Sequence, residues 1–419
     1  MANIKHSAKE ILKKIIPEDV RRNLKIKVME RRVGEIVSKI QTEYDPEAHD
    51  FGINLFGNIK AEIGLGQSMR LVANALEESG IPFTIYNLDF SGNISKGDES
   101  FDHKITNTYP YGINLFHIEP YELGLAWMNL PDEVFKSRYN IAYWLWELEV
   151  FPPEWEFPIP VLDEIWTPSR FVTSSIQKVT EKPVITIPYH LIVDTNTRFD
   201  RAYFDLPEDK FLVLAMYDVN SSAHRKNPVD AVKAYVEAFG GTNKEVGLVL
   251  KVNNPSQKDL DRLLDLTKDC ADVFLVSKRL SKEEVDSLIK CVDVFISMHR
   301  AEGFGLVMAE AMALSTVCVA TDWSSNTEFM NDEVACMVDY DIVEIEVNDL
   351  WYRKGNHWAQ PKVASAAKCL NRLYEDKEYY SRLQKNALEH IRVKLGQEQS
   401  TQLIKSRLEN IEDRFNEKI

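Results

Sequence analysis

The sequence predicts an α/β protein built as two Rossmann-like halves that face each other across a cleft. Short apolar runs alternate with helix-like segments twice over, and a polar stretch with little periodicity, residues 193–209, separates the two series. Length agrees, because 419 residues exceed what one hydrophobic core usually supports.

In the first series the runs at 51–57, 83–88, 111–118, 139–146, 163–168 and 183–188 read as strands, with helices over 66–79 and 169–180. In the second, strands are expected at 211–217, 246–252, 272–276, 293–298 and 317–321, with helices at about 228–239, 257–268, 282–290 and 306–314. Continuous apolar runs such as VGLVLKV suit parallel strands covered by helices on both faces. Open sheets of this kind bind ligands outside the carboxyl ends of their strands, which is where the cleft would lie. The chain then divides into an N-terminal helical extension (1–48), two Rossmann-like domains (49–195 and 196–395) and a C-terminal helix (396–419).

The extension differs from the rest in charge. Its first 40 residues hold eleven Lys or Arg and five acids, whereas the whole chain has 50 basic and 65 acidic residues, a net charge of −15. That balance argues against a general nucleic-acid binder. Pro17, Glu18 and Asp19 read as a helix start, and Ile26, Met29, Val33, Ile36 and Ile40 form an apolar stripe at helical spacing. Three readings of the stripe stand: packing on its own domain, docking of the basic face of residues 1–40 on a membrane surface, or a homodimer seam. No apolar run reaches the ~20 residues of a membrane span and no signal-peptide pattern opens the chain. Five cysteines without C-x-x-C spacing read as reduced residues of a cytoplasmic protein.

The stretch HRAEGFGLVMAEAMA (299–313) carries the most chemistry. A strand ends, the turn Gly303-Phe304-Gly305 follows, and a helix begins near Leu306. Free N–H groups at such a helix start, approached closely over glycine, suit a diphosphate. Glu302 lies before the helix, and Glu310 lies within an apolar run where an unpartnered carboxylate would cost several kcal/mol. A ribose diol would satisfy Glu310; the alternative is that Glu302 caps the helix and Glu310 meets an Arg or Lys. Arg225 and Lys226, in DVNSSAHRKNP (218–228), stand at the end of the first strand of the second half, where two cations neutralise a leaving diphosphate. In the first half the glycine-bearing strand-to-helix connection NIKAEIGLGQSMR (58–70), with Gly64 and Gly66, reads as a donor-binding loop that lines the cleft opposite the diphosphate, and His117 ends a strand at the same cleft. The aromatic segment YWLWELEVFPPEW (143–155) is a candidate wall for a sugar or a packed core segment.

Together RKNP, LVLKVNN, IGLGQSMRLVANALEESGIP and the stretch from Arg279 through HRAEGFGLVMAEAMA resemble the retaining nucleotide-sugar glycosyltransferases of family 4, over roughly residues 50–395. The resemblance implies the GT-B architecture, with an acceptor domain first and a nucleotide-sugar donor domain second. It implies that Glu310 holds the ribose and Glu302 contacts the donor sugar. Gly303, Phe304, Gly305 and Leu306 would lie beneath diphosphate and sugar, and Lys278, Arg279 and Leu280 would hold the base. Lys226, aided by Arg225, would stabilise the leaving nucleoside diphosphate, and His117 would approach the sugar from the other domain. Some relatives carry an Arg six residues before the Lys, where this chain has Asn220. The implied reaction transfers a sugar with retention to a saccharide or lipid-linked saccharide acceptor in cell-surface polysaccharide biosynthesis; the basic residues of 1–40 add the expectation that the protein works at the cytoplasmic face of a membrane. No cofactor and no metal are implied; Asp259-Leu260-Asp261 and Asp339-Tyr340-Asp341 read as surface. The alternatives are a non-catalytic nucleotide-sugar binder within a polysaccharide assembly complex, or an epimerase of the same fold.

Overall fold

The structure, a computed structural model, describes residues 18–40, 42–88, 95–240, 243–349 and 351–416. Two six-stranded parallel sheets form its lobes. The N-terminal sheet comprises β1 (Asp50–Gly57), β2 (Phe83–Asn87), β3 (Tyr111–His117), β4 (Tyr139–Tyr143), β5 (Glu164–Thr167) and β6 (Val184–Thr186), in the order β2-β1-β3-β4-β5-β6. The C-terminal sheet comprises β7 (Phe211–Asp218), β8 (Val246–Asn253), β9 (Val273–Val276), β10 (Val294–Ser297), β11 (Val317–Thr321) and β12 (Cys336–Val338), in the order β12-β11-β10-β7-β8-β9. Strands β4, β5 and β11 are buried at every residue, as apolar runs between two helical layers should be.

Strand order reverses between β7 and β10, which pair at Val294 with Val213 and at Phe295 with Leu214. Chain leaving β7 turns to one side of the sheet and chain leaving β10 to the other, so a crevice opens at their carboxyl ends. The two helices that rise there are Pro228–Phe239 and Leu306–Ala313.

Three segments depart from a simple pair of lobes. The helix Glu18–Lys39 belongs to the N-terminal lobe: Ile26, Met29, Val33 and Ile36 are buried, and the stripe packs on the helix Pro120–Trp127. Arg32 fastens it by donating to Trp127 O (3.0 Å) and Asp132 Oδ1 (2.7 Å). Of the three readings of the stripe, packing on its own domain is the arrangement present, which leaves Ile26, Met29, Val33 and Ile36 covered within the fold and not free to form a dimer seam. The last helix, Gln397–Asn416, crosses back to the N-terminal lobe and lies against the helix Gly64–Ser79. Its Arg407 pairs with the buried carboxylate of Glu164, which also accepts from Trp166 Nε1 at 2.6 Å. Finally, an antiparallel hairpin of Tyr340–Glu344 and Glu344's partner strand His357–Pro361 projects from the C-terminal lobe.

The stretch read as a linker, 193–209, is docked rather than loose. Asp194 N donates to Asp286 Oδ2 (2.9 Å) and Arg201 pairs with Asp293 (3.0 Å), both in the C-terminal lobe. The strand expected over 139–146 stops at Tyr143, and Trp144, Leu145 and Trp146 run on as loop. Asp259 closes a capping box with Ser256, and Asp339 and Asp341 are exposed, so neither aspartate pair enters the cleft. Among the described residues no helix is long and apolar enough to cross a membrane.

Candidate functional site

The crevice between β7 and β10 gathers three of the residues expected there. After β7, Ser222 (φ 63°) caps the single turn Ala223–Lys226, accepting from Arg225 N at 3.2 Å. Left-handed Asn227 (φ 50°) ends that turn, and Pro228, whose missing N–H is no loss at a first helical position, begins the next helix. Arg225 and Lys226 are thus fixed back to back on the crevice rim. Arg225 Nη1 donates to Ala301 O (2.9 Å) and lies 3.2 Å from Glu302 Oε1, while Lys226 Nζ donates to the same oxygen at 2.5 Å.

Glu302 is 7% exposed. Burial would push its carboxyl up, but Lys226 and Arg225 outweigh it and hold the group down at about 2. Burial depresses the Lys226 amine, and Glu302 offsets only part of that. The carboxylate does not cap the helix that follows; Gly305 is the N-cap, with φ +92°, and brings no side chain to bond the first turn. A non-glycine residue there would be strained, and its Cβ would meet Met308 Cε at 2.6 Å. Gly303 serves a different need: a Cβ on it would lie 2.9 Å from the carbonyl oxygen of Trp146, in the other lobe. His299, fully buried beneath this turn, faces Ser297 Oγ and Asn326 Oδ1, both at 3.0 Å.

Glu310 is 3% exposed, one helical turn inside. Its partner is Lys282, at 2.9 Å, which also donates to Asp286. The alternative in which Glu310 meets a lysine is therefore the arrangement present. Burial nevertheless raises the Glu310 carboxyl, to about 7. Leu306, the first residue of the helix, is half-buried, and Phe304 sits edge-on to Tyr189 with centroids 4.7 Å apart. In the loop expected to hold a base, Arg279 is exposed and Leu280 buried. Beneath it Lys251, wholly buried, donates to Asn253 Oδ1 and to Lys278 O (3.1 Å), tying the end of β8 to that loop.

The N-terminal lobe meets this site less openly than expected. His117 ends β3 but is 1% exposed, stacked on Tyr143 and within 2.8 Å of Ser68 Oγ. Ser68 in turn donates to Tyr189, the ring that touches Phe304, so His117 lies one layer beneath the lobe contact rather than at its surface. Burial lowers its imidazole to about 4, which keeps it neutral. Gly64 is exposed at the start of its helix and Gly66 is buried in the first turn. Direct contacts close the junction: Ser169 Oγ donates to Gly303 O (2.9 Å) and Phe171 N to Glu328 Oε1 (3.0 Å).

Two groups at the site, Glu147 and Tyr352, escaped the sequence reading. Glu147, in the loop after β4, lies 3.6 Å from Arg225 Nη2 and accepts from Tyr352 Oη at 3.1 Å. The signal was available, since Glu147 interrupts the run WLWELE as Glu310 interrupts its own apolar run. Tyr352 gave none, because a hairpin reaching across from the other lobe has no local pattern.

Comparison with known proteins follows the same outline. Residues 197–390 match the family model of glycosyl transferases group 1. HepE of Anabaena, solved with UDP-glucose, superposes with a TM-score of 0.60 at 13% identity, covering 86% of this chain and 100% of that one. The fold is GT-B. Sucrose-phosphate synthase of Thermosynechococcus elongatus shares the GT-B arrangement at TM-score 0.61 and 15% identity, over 86% of this chain and 99% of its own. A glycosyltransferase of Rickettsia africae does so at 0.56 and 10%, over 87% and 99%. No curated protein matches by sequence. In GT-B terms, the crevice between β7 and β10 lies in the second lobe, within the span that the family model covers.

Proposed function

We propose that this chain is a retaining glycosyltransferase of the family 4 type that moves a sugar from a nucleoside diphosphate to a saccharide or lipid-linked saccharide acceptor. The observation that carries this reading is the convergence of Arg225, Lys226 and Glu302 at the reversal point of the second sheet, facing an uncapped helix start. Two fixed cations beside free N–H groups suit a diphosphate, and their charge gains most as the leaving group becomes an anion. Glu310 takes the ribose diol in this reading, exchanging Lys282 for two hydroxyl donors. Arg279 and Leu280 flank the base. Glu302 contacts the sugar, and His117 supports the sugar side from beneath.

UDP is the favoured nucleotide, because solved structures of the same fold hold it: HepE with UDP and glucose, and the pneumococcal O-GlcNAc transferase GtfA with UDP and GlcNAc. Thermal-shift screening against UDP, GDP, dTDP and CDP sugars, followed by transfer assays with the binders, tests the proposal. Sugar transfer with the anomeric configuration kept in the product supports it; tight binding with no turnover supports a non-catalytic binder. We also assign the protein to the cytoplasmic face of a membrane. The stripe of the first helix is buried, but Val20, Leu24, Val28, Lys25, Lys27 and Arg31 remain on its outer side. A cation near an anionic leaflet contributes ~1 kcal/mol, so a few suffice for enrichment. Flotation with anionic liposomes should recover wild-type protein and lose a Lys25→Glu, Lys27→Glu, Arg31→Glu variant; equal recovery of both discards the assignment.

A further inference from the structure

Arg225 is gripped from both lobes. On its own side, Nη1 is held by Ala301 O and Glu302, and Nη2 donates to Ser221 O at 3.2 Å. From the opposite lobe comes Glu147, 3.6 Å from Nη2. The second oxygen of Glu147 accepts from Tyr352, which sits in the loop of the hairpin between Glu344 and His357. Tyr352 lies face to face with Trp146, with centroids 5.6 Å apart and planes 10° apart, and its ring passes 5.9 Å from the Arg225 guanidinium carbon. The same loop reaches the turn that carries Arg225, because Ser222 donates to Asp349.

We propose that Glu147 and Tyr352 are positioning residues for Arg225, and that they align its guanidinium with the leaving diphosphate only while the two lobes are together. The inference rests on the glycosyltransferase reading above. A guanidinium is a planar fork whose value depends on alignment, and a charge aimed in advance costs no reorganisation when the bond breaks. Carbonyls of its own lobe, Ala301 O and Ser221 O, take one N–H from each arm of the fork, while Glu302 is shared with Lys226 and, in this reading, turns to the sugar. Glu147 is the carboxylate that stays on Nη2, and because it comes from the other lobe this charged contact depends on closure. The neighbouring acid does not compete: burial, with Glu122 and Glu147 nearby, pushes the Glu119 carboxyl up to about 8, so at neutral pH it stays mostly protonated. Glu147 also subtracts from the positive charge that a diphosphate meets. Losing it should therefore disturb turnover without weakening nucleotide binding.

That split is the test. Glu147→Gln keeps the side-chain volume and removes the charge, and Tyr352→Phe keeps the ring on Trp146 and removes the hydroxyl. Turnover is measured with the donor identified by the screen, and affinity by calorimetric titration with that donor's nucleoside diphosphate. Glu147→Gln should lower kcat by about tenfold or more and Tyr352→Phe by roughly threefold, the scale of a misplaced catalytic group. The dissociation constant of the diphosphate should stay within about twofold in both, and Glu147→Asp should recover part of the loss. Unchanged kcat in Glu147→Gln, or a fall matched by an equal fall in diphosphate affinity, overturns the proposal and leaves the glycosyltransferase reading standing. Wild-type protein that neither binds nor turns over any donor of the screen overturns that reading, and this one with it.

Discussion

A carboxylate as buried as Glu302 stays charged because two cations face it, and that pairing has a measurable pH signature. A carboxyl depressed in the folded state stabilises it at pH above the unfolded value and loses that contribution as pH falls through the folded one. For Glu302 the window runs from the ordinary 4.5 down to about 2, worth on the order of 3 kcal/mol. Glu302→Gln should therefore be less stable than wild type near neutral pH, with the gap narrowing as pH drops below about 4.5. Thermal melts at pH 7, 5 and 3.5 read this directly. Lys226→Ala should lower kcat more than donor affinity, because leaving-group charge grows toward the transition state; a raised KM with normal kcat would leave the lysine a binding residue only. At this scale the sequence was most legible where charge broke an apolar run, as at Glu310, whose setting called for a partner and has one in Lys282. It was least legible at His117, whose place at a strand end said nothing of the Tyr143 and Tyr189 rings that cover it.

The glycine turn makes the Leu306–Ala313 helix usable, because Gly305 takes a left-handed conformation that other residues adopt at a cost of roughly 1–2 kcal/mol. Gly305→Ala should lose about that much stability by urea denaturation, and it should lose donor affinity out of proportion to it, since the turn moves against Met308 and Asn326. The C-terminal helix offers a second case. Glu164 is wholly buried and Arg407 is its cation, so Arg407→Met leaves an unpaired charge and should cost about 3–5 kcal/mol. Loss below about 1 kcal/mol would mean that Trp166 and Tyr139 suffice as partners. The helices 282–290 and 228–239 and most of the parallel strands matched their expected bounds closely, the strand that ends at Tyr143 being the main exception. The hairpin of Tyr340–Glu344 and His357–Pro361 went unforeseen, because its strands carry no continuous apolar run and no tight-turn signature joins them. For the first helix, periodicity revealed the stripe but not what it would meet, since the helix Pro120–Trp127 lies about a hundred residues away.

Across the whole molecule, ligand binding should raise the melting temperature. A nucleoside diphosphate at about 100 times its dissociation constant adds ~2.7 kcal/mol to the native state, enough to shift the melt by a few degrees. The shift should shrink in Glu310→Gln, whose amide accepts less strongly from a ribose diol; an undiminished shift would remove the role given to Glu310. Two parallel sheets were readable from the sequence because burial on both faces leaves a continuous apolar run. How the lobes meet was not, because Ser169 with Gly303, Phe171 with Glu328, and Glu147 with Arg225 join residues far apart in the chain, each pair needing the whole fold to bring it together. The return of the last helix has a mechanical consequence. The chain passes between the lobes twice, and the two passages lie side by side, with Leu191 N donating to Leu395 O at 3.0 Å. Two adjoining tethers favour rotation about a shared line over sliding, so any opening of the lobes would hinge there and would first have to break the contacts of Ser169 with Gly303, Phe171 with Glu328 and Glu147 with Arg225.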